Sequence, residues 1–187
     1  PLFDSFHTTR NAEKKPEKRP LARLFVSNAI AAKANKNHVY FATEKYFVSA
    51  EGNGFISQVP IPLFPDSLAA FISGKKPNIR MVYANKCDCF FSVFTQSSKT
   101  IKEGIHLPSN IECLETDDKD FAFIGTRNGE IFKISIGRDF AIENQGIYGY
   151  YPIINITYSQ FNNVFVAIDG EKTIRFVFAD TFNCFFS

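Results

Sequence analysis

The chain has 187 residues, 45% of them hydrophobic, and a formal net charge of +2. That composition supports one substantial buried core and excludes a disordered chain. It contains no run of eighteen apolar residues and no short apolar leader, so neither a membrane-spanning helix nor a secretory signal is expected, and the chain is placed inside a cell.

Residues 1–20, with the run NAEKKPEKRP, are expected to form a basic, flexible extension, because Pro16 and Pro20 oppose regular structure. Residues 1–37 hold Arg10, Lys14, Lys15, Lys18, Arg19, Arg23, Lys33 and Lys36 against Asp4, Glu13 and Glu17, which leaves the rest of the chain slightly negative. Lys14, Lys15, Lys18, Arg19 and Arg23 are suited to phosphates or to acidic protein surfaces. No aromatics are interleaved for base stacking, and the plainer alternative is a solvated linker.

From Leu21 the chain reads as strands. LARLFV (Leu21–Val26) is expected to join the first or last unit of an array whose hairpins recur at a period of about 42 residues. The hairpins lie near 39–50, 81–94, 121–136 and 164–178, with turns at Glu44-Lys45, Lys86, Asn128-Gly129 and Gly170-Glu171. Apolar positions alternate around each turn, which excludes a helical array. A first strand precedes the hairpin in AIAAKA, NIEC and IINITYS; a fourth follows in FISQVPI, TIKEGIHL, FAIENQGI and NCFFS. Asn128-Gly129 and Asp169-Gly170 are expected to supply left-handed turn residues, and Gly52-Asn53-Gly54 a further turn.

The fold class is therefore all-β, a β-propeller with about four recognisable blades over residues 21–187. Seven blades at this period need about 295 residues, so the four are read as part of a larger, seven-bladed ring, with a closed four-bladed ring as the alternative. The stretch Pro60–Asn78 holds four prolines and an expected short helix around Ser67–Ile72. As the longest excursion between blades it is the expected place for a specific contact, with Phe64, Lys75 and Lys76 as candidate residues.

Catalytic and metal chemistry find no matching pattern. Cys87-x-Cys89 lacks the spacing and second pair of a zinc site, so Cys87, Cys89, Cys113 and Cys184 are read as reduced cysteines at strand ends. His7, His38 and His106 are far apart, and none has the Ser, Cys or Asp neighbours of a catalytic triad. The run Glu115–Asp120 lacks calcium-loop spacing and is read as a solvated loop. Gly125–Gly129 has no Lys-Ser/Thr and leads into a strand, so it is a hairpin turn and not a phosphate loop. No cofactor and no enzyme activity are expected.

NIECLETDDKDFAFIGTRNGEIFKISI (Asn110–Ile136) resembles a WD40-type blade: strand, acidic link, a small-residue strand ending Gly-Thr, an Asn-Gly turn, then a third strand. The Trp-Asp dipeptide is absent, with Lys133-Ile134 or Phe178-Ala179 near its place, and no Gly-His pair precedes the blades. The resemblance is to a divergent WD40-like propeller over residues 29–187. Within that group, Ile153–Phe178 is loosely similar to the N-terminal propeller of large scaffold nucleoporins, and the basic extension suits propellers that assist ribosome assembly. Such likenesses imply a non-enzymatic scaffold in a larger assembly, with other protein subunits as partners and, for the second group, RNA through the extension.

Overall fold

The computed structural model describes the backbone of residues 2–9, 17–25, 29–34, 38–43, 45–51, 56–60, 68–72, 79–94, 99–101, 104–136 and 139–187. Side chains are described for 29–32, 39–43, 45–50, 58–60, 69, 80–93, 104–136 and 139–187. All regular structure among these residues is β-strand. The chain divides into two compact units, Pro1–Pro65 and Asp66–Ser187.

In the first unit, β1 (Leu2–Thr9) pairs antiparallel with β2 (Glu17–Phe25). This corrects the expectation that residues 1–20 lack regular structure, and the division at residue 20 falls inside β2. Pro20 is accommodated because the register slips between Ser5 and Phe6, beside its partner Phe6. A two-stranded ribbon with such an irregularity has places where no ladder N–H is needed. Residues 21–25 of LARLFV thus belong to β2, which pairs with β1. A four-stranded antiparallel sheet follows in the order β3 (Ala29–Ala34), β4 (His38–Thr43), β5 (Tyr46–Glu51) and β6 (Ile56–Pro60). Phe41 faces Val48 and Ala42 faces Phe47 across the central pair, all four buried.

The second unit holds three sheets. The first is β7 (Leu68–Ile72), β8 (Ile79–Asn85) and β9 (Asp88–Phe94), with β10 (Lys99–Ile101) and β11 (Ile105–His106) both on the far edge of β9. The next is β12 (Ile111–Thr116), β13 (Phe121–Thr126), β14 (Glu130–Ser135) and β15 (Ala141–Ile147). The last is β16 (Ile153–Ser159), β17 (Val164–Asp169), β18 (Ile174–Phe178) and β19 (Cys184–Phe186).

The segment expected as a helix near Ser67–Ile72 is strand β7, paired with β8 from Leu68↔Ala84 to Ile72↔Arg80. It is the first strand of the second blade, the element missing from the sequence repeat. Two adjacent alanines favour helix only weakly, and a ladder with the apolar strand Ile79–Asn85 overrides that preference.

Strand alternation makes the middle blade of this unit a wall between two cores. On β13 and β14, Ala122, Ile124, Phe132 and Ile134 pack with Val82, Ala84, Cys89 and Phe91 of the preceding blade. The alternate residues Phe123 and Ile131 pack with Phe165, Ala167 and Val177 of the following blade. The first strands β7, β12 and β16 lie next to one another along the unit. These are the stacked sheets of a propeller.

Candidate functional site

The turns at one end of the second unit are tied to the connections between blades. Leu107 N donates to Cys87 O and Ile111 N to Lys86 O, each at 2.8 Å, while Arg127 N donates to Asn110 O at 2.8 Å. One blade further on, Tyr148 N donates to Gly129 O and Gly170 N to Pro152 O, each at 2.9 Å. Each connection is therefore bonded to the turn of the blade it leaves and to that of the blade it enters.

Within the hairpins, side chains close the turns. Thr126 Oγ1 accepts from Glu130 N at 3.3 Å, as Thr43 Oγ1 accepts from Tyr46 N at 2.9 Å. Gly129 has φ 78, while Asn128 keeps a negative φ, so only one of the expected pair is left-handed. A Cβ on Gly129 would strike the Gly149 carbonyl oxygen. In the last hairpin the left-handed residue is Lys172 (φ 67), not Gly170. Asp169 makes this possible: its Oδ1 accepts from Glu171 N at 3.0 Å and Thr173 N at 2.9 Å, and its Oδ2 from Arg175 Nη1 at 2.6 Å. Burial pushes the Asp169 carboxyl up, but these donors outweigh it and hold the group below its ordinary value.

On this stitched end stand three large exposed side chains. Ile147 is 76% exposed, Tyr150 97% and Tyr151 45%. A hydrogen bond to Glu171 raises the pKa of the Tyr151 phenol. Arg127, exposed nearby in the β13–β14 turn, is held by Glu112 at 2.7 Å. Aromatic and arginine side chains on a rigid frame lose little conformational entropy on binding and are over-represented among residues that dominate protein interfaces. The sequence reading missed this rim because Tyr150 and Tyr151 sit among apolar residues of adjoining strands. The Tyr-Gly-Tyr-Tyr-Pro run, breaking strand alternation, was the available signal.

The residues proposed from sequence are placed as follows. Lys18, Arg19 and Arg23 lie on β2, opposite Thr8, His7 and Asp4 in its register. Lys14, Lys15, Phe64, Lys75 and Lys76, and the turn Gly52–Gly54, lie outside the described residues. Cys89 and Cys113 are buried, and burial raises the pKa of both thiols, that of Cys113 to about 12. Cys87 sits in the β8–β9 turn beside Asn110, and Cys184 is exposed. His106 and Asp88 form an exposed pair at 2.7 Å. In the acidic run, Asp117 Oδ1 accepts from Lys119, Asp120 and Phe121 N–H at 2.8–2.9 Å, which makes this carboxylate a turn-forming group. Among the described residues, no group of His, Cys, Asp or Glu could hold a metal ion, and no helix is long and apolar enough to cross a membrane.

No family model matches the sequence, and no curated protein matches it significantly. Solved structures do. The WD40 domain of SCAP from fission yeast superposes with a TM-score of 0.67 at 12% identity, over 90% of this chain and 44% of that one. The fold is a divergent WD40-like β-propeller. Hsv2 from Kluyveromyces lactis gives a TM-score of 0.65 at 9% identity, over 87% of this chain and 52% of the other. A chain of the mitotic checkpoint complex gives 0.60 at 12% identity, over 80% and 48%. The WD40-like chain described here spans about half the length of each, which fits a partial propeller.

Proposed function

We propose that this propeller is a non-enzymatic protein-interaction scaffold, a subunit of a larger intracellular assembly, that docks a partner protein on the rim formed by Ile147, Tyr150 and Tyr151. The observation that carries the reading is the exposure of Ile147, at the end of β15, and of Tyr150 and Tyr151, on a connection bonded to the turns of the blades on either side. A rigid apolar rim is what a protein partner can bury, and isolated exposed residues elsewhere would not form one. The match to a chain of the mitotic checkpoint complex supports a scaffold role by likeness of fold.

The test places a photoreactive amino acid at Tyr150 in one variant and at exposed Glu143 in another, followed by cross-linking in cells. A protein adduct specific to position 150 is expected, and its affinity should fall at least tenfold in Tyr150→Ala/Tyr151→Ala. Equal adducts at both positions, or unchanged affinity, would sink the rim.

A second contact is proposed through the basic segment with Lys14, Lys15, Lys18, Arg19 and Arg23, and through Phe64, Lys75 and Lys76 in the 60–78 stretch. The clustered cations support it, with an acidic partner surface as the first reading and RNA of a ribosome-assembly complex as the alternative. Nuclear-pore subunits are the other assembly proposed from sequence. RNA binding measured across a salt series, with and without Lys14, Lys15, Lys18 and Arg19 changed to Ser, separates the two contacts. Absent RNA affinity at low salt removes the alternative.

A further inference from the structure

In the β13–β14 turn, Asn128 is exposed, and its carboxamide makes no hydrogen bond among the described residues. Other asparagines of the unit are held: Asn144 bonds Gln145 N and Asp180 O, and Asn163 bonds Tyr158 and Asp180. Gly129 follows Asn128 and has no side chain to shield its nitrogen from the carboxamide. The Gly129 N–H donates to Thr126 O at 3.3 Å, a longer bond than the 2.8–2.9 Å ties between turns and connections. The carbonyl of the same glycine is one of those ties, accepting from Tyr148 N at 2.9 Å.

We propose that Asn128 is a site of spontaneous covalent modification, deamidation to isoaspartate, and that the product unlatches the connection carrying Tyr150 and Tyr151. Gly129 N, its proton lost to solvent base, bonds to Asn128 Cγ; the Cγ–Nδ2 bond breaks and ammonia leaves, closing a succinimide. Water then adds at the Asn128 main-chain carbonyl and breaks its bond to Gly129 N, which gives isoaspartate; addition at Cγ gives aspartate. The balance is amide plus water to acid plus ammonia. Isoaspartate routes the main chain through Cβ and Cγ, one atom longer than before. The turn has no room for that atom, since even a Cβ on Gly129 would strike the Gly149 carbonyl oxygen and stand 3.0 Å from that of Tyr151. The Gly129 carbonyl is displaced and Tyr148 N loses its acceptor, whereas the Arg127 N–Asn110 O and Gly170 N–Pro152 O bonds lie outside the altered link. Any effect on partner binding rests on the rim proposed above; the conversion and the lost tie do not, so they are tested without a partner.

The experiment holds the folded chain in mildly alkaline buffer and samples it over time, with circular dichroism as the fold control. Peptide mass and isoaspartate methyltransferase labelling report residue 128, and amide hydrogen exchange reports the ties. Asn128 is expected to convert, chiefly to isoaspartate, and Asn128→Gln to stay unmodified. In the converted chain Tyr148 N–H should exchange about tenfold faster, while Arg127 and Gly170 keep their protection. Fresh Asn128→Asp, which adds the charge without the extra backbone atom, should leave Tyr148 protected. An Asn128 that stays intact in the folded chain while it converts in urea overturns the site. Converted chains whose Tyr148 exchanges as slowly as in fresh protein overturn the unlatching.

Discussion

Asp169 and Arg175, six residues apart across the last hairpin, are joined by a 2.6 Å hydrogen bond between a fully buried carboxylate and a mostly buried guanidinium. The same carboxylate bonds two backbone N–H groups of the turn, so it fixes the loop and neutralises the arginine at once. Removing it by Asp169→Ala leaves Arg175 unpaired and two donors unsatisfied. A loss of about 3 kcal/mol is expected in denaturant titration, the low end for breaking a buried pair because Arg175 keeps some solvent.

The pH dependence follows from the lowered Asp169 pKa. A group with a folded pKa below the unfolded value of about 3.9 stabilises fully above that value and loses its contribution as pH falls through the folded pKa. The stability gap between wild type and Asp169→Asn is therefore expected to be constant near neutrality and to shrink below about pH 4. Urea titrations at stepped pH measure it.

Two glycines have no room for a side chain. A Cβ on Gly125 would stand 2.6 Å from Cys113 Sγ and 2.7 Å from Ile153 Cγ2, and one on Gly129 would strike the Gly149 carbonyl at a positive φ. Gly125→Val is expected to cost about 1–3 kcal/mol by overpacking, part of it recovered by adding Cys113→Ala. Gly129→Ala is expected to cost about 2 kcal/mol through strain and clash, with no recovery from Cys113→Ala. Thermal unfolding of the four variants distinguishes the two causes.

Thiol labelling reads the cores from outside. Cys184 is exposed, whereas Cys89 and Cys113 are buried on opposite sides of the middle blade with raised pKa values. Cys184 should be alkylated in the native protein, and Cys89 and Cys113 only on unfolding. Mass spectrometry of timed samples checks the order.

How much of this was legible in the sequence follows from which interactions are local. The four hairpins, their turns and their fourth strands were readable because alternation and turn residues sit next to each other in the chain. β7 was hidden: LAAFI has no polar alternation, and its partner Ile79–Asn85 begins seven positions further along the chain. Asp169-Gly170 looked like a left-handed turn, yet the Asp169 side chain moves that conformation to Lys172. The rim at Tyr150 and Tyr151 left one local sign, the Tyr-Gly-Tyr-Tyr-Pro break in strand alternation, but the exposure itself depends on the connection between blades.

Stacked blades, with the β13–β14 hairpin walling off two cores, are tested most directly by double-mutant cycles on Phe123. Its ring lies 5.2 Å from that of Phe165 in the next blade, while Phe91 belongs to the core on the other face of the wall. With Phe→Leu changes measured by denaturant unfolding, Phe123 and Phe165 should couple by about 0.5–1.5 kcal/mol, and Phe123 and Phe91 by less than about 0.3 kcal/mol. Coupling to Phe91 as large as that to Phe165, or none to Phe165, would contradict the stacking.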